Sequence, residues 1–167
     1  MRQLRKLMNK FSKLSGIILY WLSWPVLFFY LKDSKRSRVI VSSENNILII
    51  KNWLGSGQFT LPGGGLKKDE NPKDGVIREL EEETGILVES SRLQLIKSEF
   101  TVTEHGYSYK CLGFSVKIDK TIVTTRQKLE IAEIKWVDAK EVLNKYRLTS
   151  TARTLITTWL ELNHLVD

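Results

Sequence analysis

Residues 61–88, LPGGGLKKDENPKDGVIRELEEETGILV, constrain the fold of this chain more than any other stretch. Asn71-Pro72 predicts the start of a helix: asparagine caps the first turn, and proline suits the first helical position, where its missing N–H is no loss. Gly85 predicts the end, because glycine takes up the left-handed conformation without a Cβ penalty. Between them Val76, Ile77, Leu80 and Thr84 fall on one side of a 3.6-residue spiral. Glu79, Glu82 and Glu83 fall together on a neighbouring side, since i, i+3 and i+4 are adjacent on a helix.

That acidic face has two readings. Like charges at i, i+4 repel by about 0.2–0.5 kcal/mol per pair, a cost that a solvated surface helix can carry. Alternatively a divalent cation neutralises the cluster, because hard ions such as Mg²⁺ take carboxylate oxygens. The choice turns on the residues around the cluster.

Gly64 is followed after five residues by Glu70, and after seven more by Arg78-Glu79-Leu80; Glu82-Glu83 and Gly85-Ile86 complete the series. This stretch resembles the Nudix box, G-x5-E-x7-R-E-U-x-E-E-x-G-U with U a bulky apolar residue, and every defined position is filled. The GQFTLPGGG run ahead of it is also similar to that family, with Phe59 where a tryptophan is commoner. The resemblance implies an α/β fold, the Nudix α/β/α sandwich with a mixed sheet. It also implies a hydrolase that cleaves a diphosphate linked to a group X, commonly a nucleoside diphosphate derivative, by attack of water at phosphorus.

The same resemblance implies Glu79, Glu82 and Glu83 as ligands of Mg²⁺ or Mn²⁺, with Glu79 or Glu83 the decisive one, and Glu70 as a ligand through water. Arg78 is expected to orient the catalytic glutamates; taken alone, it would form a surface ion pair with Glu82 worth under about 1 kcal/mol. Gly63, Gly64 and Gly65 are expected to turn the backbone beside the metal and substrate. They are not a P-loop, since no Gly-Lys-Ser/Thr follows them. In this family the general base is either a box glutamate or a glutamate on a later loop. Glu130, six residues before Trp136, is the candidate for the second case, with Glu133 and Glu104 as rivals. Each of these three also reads as a plain surface residue, and His105 as a turn residue beside Gly106.

The rest of the chain supplies a sheet. RVIVSS and NILIIKN are β-branched runs on either side of Glu44-Asn45-Asn46, which predicts a hairpin. Residues 53–57 read as a loop and 58–61 as a short strand. After the box helix, strands are expected near 86–89, 93–103, 107–118 and 130–137. A helix is expected over 138–145, and a last one capped by Thr149 or Ser150 that carries Leu155, Ile156, Trp159, Leu160 and Leu162. Cys111 lies in an alternating apolar run and reads as a core residue; as the single cysteine it forms no internal disulfide, which fits a reducing compartment. The expected domain spans residues 38–167.

Residues 1–37 stand apart. Up to Arg38 the chain carries nine of its 26 Lys and Arg against one acid, Asp33, so the net charge of +7 belongs to this end. Leu4, Leu7, Met8, Phe11 and Leu14 recur at helical spacing with basic residues between them, the pattern of an amphipathic helix on anionic lipid. LSGIILYWLSWPVLFFYL at 14–31 is almost wholly apolar, at the short limit for a bilayer span, and Pro25 would kink a helix there. A span, an interfacial helix, a re-entrant hairpin and a helix packed on protein all fit this composition. A cleaved signal peptide fits less well, since no small-x-small site follows. Membrane association of a cytoplasmic enzyme through an N-terminal hydrophobic helix or helices is the expectation.

Several classes are set aside on residues. The basic end is interleaved with a long apolar run rather than with stacking aromatics, which favours lipid over nucleic acid as its partner. ADP-ribose and coenzyme A members of the Nudix family carry a proline beyond the box, and none follows Pro72; diadenosine-polyphosphate members carry a tyrosine where Glu104 stands. A small-molecule diphosphate substrate remains: a nucleoside triphosphate, a nucleotide sugar or another derivative, lipid-linked diphosphates included. A catalytically silent Nudix fold acting as a binding or regulatory module is the alternative, and the complete set of glutamates weighs against it.

Overall fold

A computed structural model describes residues 34–53, 56–104, 107–119 and 131–165. Among the described residues six strands and three α-helices follow one another as β1 (Lys35–Ser43), β2 (Asn46–Asn52), β3 (Phe59–Thr60), α1 (Pro72–Thr84), β4 (Gln94–Glu104), β5 (Tyr107–Lys117), β6 (Ile131–Asp138), α2 (Val142–Lys145) and α3 (Ser150–Leu162). The basic and apolar segment expected to meet a membrane lies outside the described residues. Among the described residues no helix is long and apolar enough to cross a membrane.

Period-2 alternation in the central strands builds two cores back to back. Val39, Val41, Leu48, Phe114 and Val116 face α1, where Val76 and Leu80 pack against them. Ile40, Ile47, Ile49 and Val137 face the other way, onto Ala152, Leu155, Ile156 and Trp159 of α3. The result is an α/β/α sandwich. β1 and β2 are apolar on both faces because both are covered.

The sheet is mixed, with strands in the order β3-β2-β1-β5-β4 and β6 paired to β2. β1 runs parallel to β5, in register from Lys35↔Lys110 to Ser42↔Lys117. β2 pairs with β6 along its length, while Ile47 meets Ser42 of β1 and Ile50 meets Thr60 of β3. Glu44 and Asn45 form the β1–β2 turn, with Glu44 at φ 50; Asn46 already pairs with Ser43, so the turn is one residue shorter than expected.

Two expectations are corrected. No strand forms at 86–89. Ile86 is buried, Leu87 is exposed and Val88 is partly buried, so the segment alternates like a strand, but it carries no ladder and runs into a 3₁₀ turn at Ser90–Arg92. The helix expected over 138–145 is only Val142–Lys145. Asp138 Oδ1 accepts the Lys140 and Glu141 amides at 2.9 and 3.1 Å, which holds the preceding residues in a turn.

Candidate active site

α1 begins and ends as its sequence predicts. Asn71 Oδ1 accepts the Lys73 amide at 2.9 Å, Pro72 opens the helix, and Gly85 at φ 74 closes it by donating its N–H to Glu81 O at 2.8 Å. Burying Val76 and Leu80 sets the helix rotation. With that rotation Glu79 and Glu83 are also buried, at 9% and 5% exposed, while Glu82 lies at the rim. Carboxyl groups are rarely buried without partners, so their surroundings matter.

Arg78 supplies the charge. Its Nε and Nη2 donate to the two oxygens of Glu70 at 2.9 and 3.1 Å, and its Nη1 donates to Glu79 Oε1 at 2.7 Å. Nη1 also stands 3.5 Å from Glu82 Oε2, and Nη2 donates to Gly65 O at 3.3 Å. Glu70 Oε2 accepts the Lys67 amide as well, at 2.8 Å. The Arg78 hydrogen bonds hold the Glu70 carboxyl down at about 2 against a smaller opposing effect of burial, and the same bonds push Arg78 up. This is more than the surface ion pair with Glu82 that Arg78 would form by itself.

The glycines bring backbone against these acids. Residues 62–66 lie along the part of β1 that β2 leaves unpaired: Ser37 and Val39 donate to Gly64 O and Pro62 O, both at 3.0 Å, and Leu66 donates to Lys35 O at 2.9 Å. Gly63, at φ 128, donates its N–H to Glu83 Oε2 at 2.8 Å. A Cβ on Gly63 would meet Ser37 O at 2.2 Å, and one on Gly64 would meet the Glu79 carboxyl carbon at 2.5 Å. Gly65 has open space around its Cβ position and a carbonyl on Arg78.

The sequence matches the NUDIX domain over residues 34–159. This chain belongs to the Nudix family. A MutT-like protein from Streptomyces ambofaciens is 46% identical over 55 residues, which cover 33% of this chain and 35% of that one, so the match spans about a third of the relative's length. Among solved structures, the NUDIX domain of NrtR from Shewanella oneidensis, complexed with ADP ribose, is 15% identical, with a TM-score of 0.68 over 78% of this chain and 88% of that one. A bifunctional NMN adenylyltransferase/ADP ribose pyrophosphatase from Francisella tularensis, complexed with AMP and a manganese ion, is 17% identical, with a TM-score of 0.70 over 90% of this chain and 48% of that one. At these identities the structures show a common fold.

Within this Nudix domain, Glu70, Arg78, Glu79 and Glu82 meet in one hydrogen-bonded and ion-paired group, and Glu83 meets the turn at Gly63. Among the described residues no three His, Cys, Asp or Glu side chains converge closely enough to cage a metal; a guanidinium stands among the acids instead. The donor chemistry nonetheless suits a hard divalent cation. The donors are all carboxylate oxygens, three of them within two turns of one helix, and two are buried where an added positive charge would offset the cost of burial.

The candidates for a later-loop base separate. Glu130 and His105 lie outside the described residues. Glu133 pairs with Lys135 at 2.8 Å on β6. Glu104 is half-buried and structural: it accepts Ser150 Oγ at 2.5 Å, Tyr109 Oη at 3.0 Å and the Thr151 amide at 3.4 Å, so it ties the end of β4 to the first turn of α3; burial pushes its carboxyl up, but these bonds together hold it low. That role was not visible in the sequence, where Glu104 and Ser150 are far apart. Arg38, which reaches the glycine turn, was missed for the same reason.

Proposed function

We propose that this chain is a Mg²⁺-dependent hydrolase that cleaves the diphosphate bond of nucleoside diphosphate-X substrates by attack of water at phosphorus. The observation that supports this reading is the grouping of Glu70, Glu79 and Glu82 on Arg78, with Glu83 on Gly63, in a Nudix domain. Glu79, Glu82 and Glu83 would hold the ion, Mg²⁺ or Mn²⁺, and Glu70 would reach it through water. Once bound, the ion neutralises the charge of the phosphate oxygens. Arg78 orients Glu79 and Glu82, and Gly64 leaves room for the Glu79 carboxyl. The proton of the attacking water goes to Glu79 or Glu83, or to Glu130 as the later-loop candidate.

The missing proline after the box and the glutamate at 104 favour a nucleoside triphosphate, a nucleotide sugar or a lipid-linked diphosphate as substrate. We infer a cytoplasmic location, with residues 1–31 held at an anionic membrane surface. Recovery of the full-length chain as a compact monomer in the detergent-free soluble fraction would rule out that attachment.

The experiment is a diphosphate-substrate panel with Mg²⁺ and with Mn²⁺, using Glu79→Gln as the blank. At least one substrate is expected to turn over in the wild type and to slow about a hundredfold or more in Glu79→Gln. A wild type indistinguishable from Glu79→Gln throughout would overturn the proposal in favour of a silent binding module. A Glu130→Gln rate within about threefold of wild type, roughly 0.7 kcal/mol, would exclude Glu130 as the base.

A further inference from the structure

Arg38 lies outside the box, on β1, between Ser37 and Val39. Val39 packs under α1 and Ile40 under α3, so strand alternation places Arg38 on the α3 face, the side of the sheet away from the glutamates. From there its Nη1 donates to Leu61 O at 2.9 Å and to Gly63 O. The guanidinium therefore grips the glycine turn from behind.

The turn needs such a grip. Gly63 sits at φ 128, and glycine has the least restricted backbone of any residue, so its conformation has to be imposed from outside. Val39 N–H holds Pro62 O, Ser37 N–H holds Gly64 O, and Glu83 holds Gly63 N–H. Arg38 holds the remaining carbonyl, Gly63 O. Its charge makes this bond stronger than a neutral one.

The turn also touches both buried carboxyls. Gly63 N–H binds Glu83, and Gly64 lies so close to Glu79 that an added Cβ would overlap it. Arg38 grips the Leu61–Pro62 and Gly63–Gly64 peptides, which flank the Pro62–Gly63 peptide whose N–H binds Glu83; the second of them leads into Gly64 beside Glu79, so loosening that grip would disturb both contacts together. We propose that Arg38 is a positioning residue that fixes Glu79 and Glu83 by clamping the Gly63–Gly64 peptide from the opposite face of the sheet. This inference rests on the reading of the α1 glutamates as the reaction's carboxylates.

The test uses the full chain as Arg38→Met and Arg38→Lys, with thermal unfolding as the check on folding. Arg38→Met is expected to lower kcat on the best substrate of the panel by at least about tenfold with KM within about threefold. It should also weaken Mn²⁺ binding, read by electron paramagnetic resonance, and speed amide hydrogen exchange at Gly63 by about tenfold or more relative to the amides of β2 that face β6. Arg38→Lys, which can hold one of the two carbonyls, should restore part of each. A raised KM with unchanged kcat would mean that Arg38 binds substrate directly, and would overturn the proposal. Unchanged Gly63 exchange would overturn it too. If Arg38→Met does not fold, Arg38→Lys and Arg38→Gln are read by the same criteria. If the wild type turns over nothing, the hydrolase reading fails, and Gly63 exchange together with Mn²⁺ binding still decides the role of Arg38.

Discussion

Arg78 holds Glu70 through two side-by-side hydrogen bonds, Nε to Oε1 at 2.9 Å and Nη2 to Oε2 at 3.1 Å. The pair ties the loop before α1 to the first turns of the helix, and Arg78 keeps Nη1 for Glu79. A lysine offers a single ammonium and cannot reproduce that fork. Arg78→Lys should therefore retain the fold and lose about tenfold or more in kcat, measured on the best substrate of the panel.

Acid should weaken this tie in a defined window. The Glu70 carboxyl is held at about 2, below its usual 4.5. Because the folded value is depressed, the stabilisation is complete above 4.5, is lost as pH falls towards 2, and is absent below that. Urea unfolding across that range should give a shallower dependence of stability on pH for Glu70→Gln than for wild type. Equal slopes would show that Glu70 is not held down.

Gly63 and Gly64 should respond differently to alanine. At Gly63 the new Cβ would strike the backbone at Ser37 O, at φ 128, so Gly63→Ala should cost about 2–3 kcal/mol or prevent folding. At Gly64 the obstacle is the Glu79 side chain, which can swing away. Gly64→Ala should unfold within about 1 kcal/mol of wild type while hydrolysis falls steeply. Denaturation curves and rates measured on the same preparations would check the contrast.

Glu104 should matter for stability and not for the reaction. Cutting the tie between β4 and the first turn of α3 with Glu104→Ala is expected to cost about 1–2 kcal/mol, and kcat should stay within about threefold. A rate collapse with unchanged stability would return Glu104 to the list of bases.

Cys111 should be inert. It is fully buried between strands, and burial pushes its thiol up to about 11. Thiol-specific reagents should label it only at the rate of unfolding, so labelling kinetics against denaturant would follow the global transition.

Much of the fold was legible because short-range physics decides it. Asn71, Pro72 and Gly85 set the ends of α1 by local hydrogen bonding and backbone preference, and Thr149 caps α3 in the same way, accepting the Ala152 amide. Residues 86–89 show the limit. Ile86 and Val88 point inward as in a strand, but a strand also needs a neighbour with groups to bond, and alternation within one segment says nothing about that. The grouping of acids on one side of α1 follows from helical spacing, whereas their partners do not. Arg38, Gly63 and Glu83 are distant in sequence, and only the pairing of residues 62–66 with β1 brings them together.

β1 carries one further consequence. One of its edges receives β5, from Lys35↔Lys110 onwards, and the other receives the glycine turn that touches Glu79 and Glu83. Parallel pairing over such a separation in sequence is among the slower events in folding. During synthesis, then, α1 and its acids leave the ribosome well before β5 exists to seat the strand that shapes their surroundings. The nascent chain passes through a stage with its acids in place and no working geometry, so activity should switch on only once Lys117 has emerged and the parallel ladder has closed.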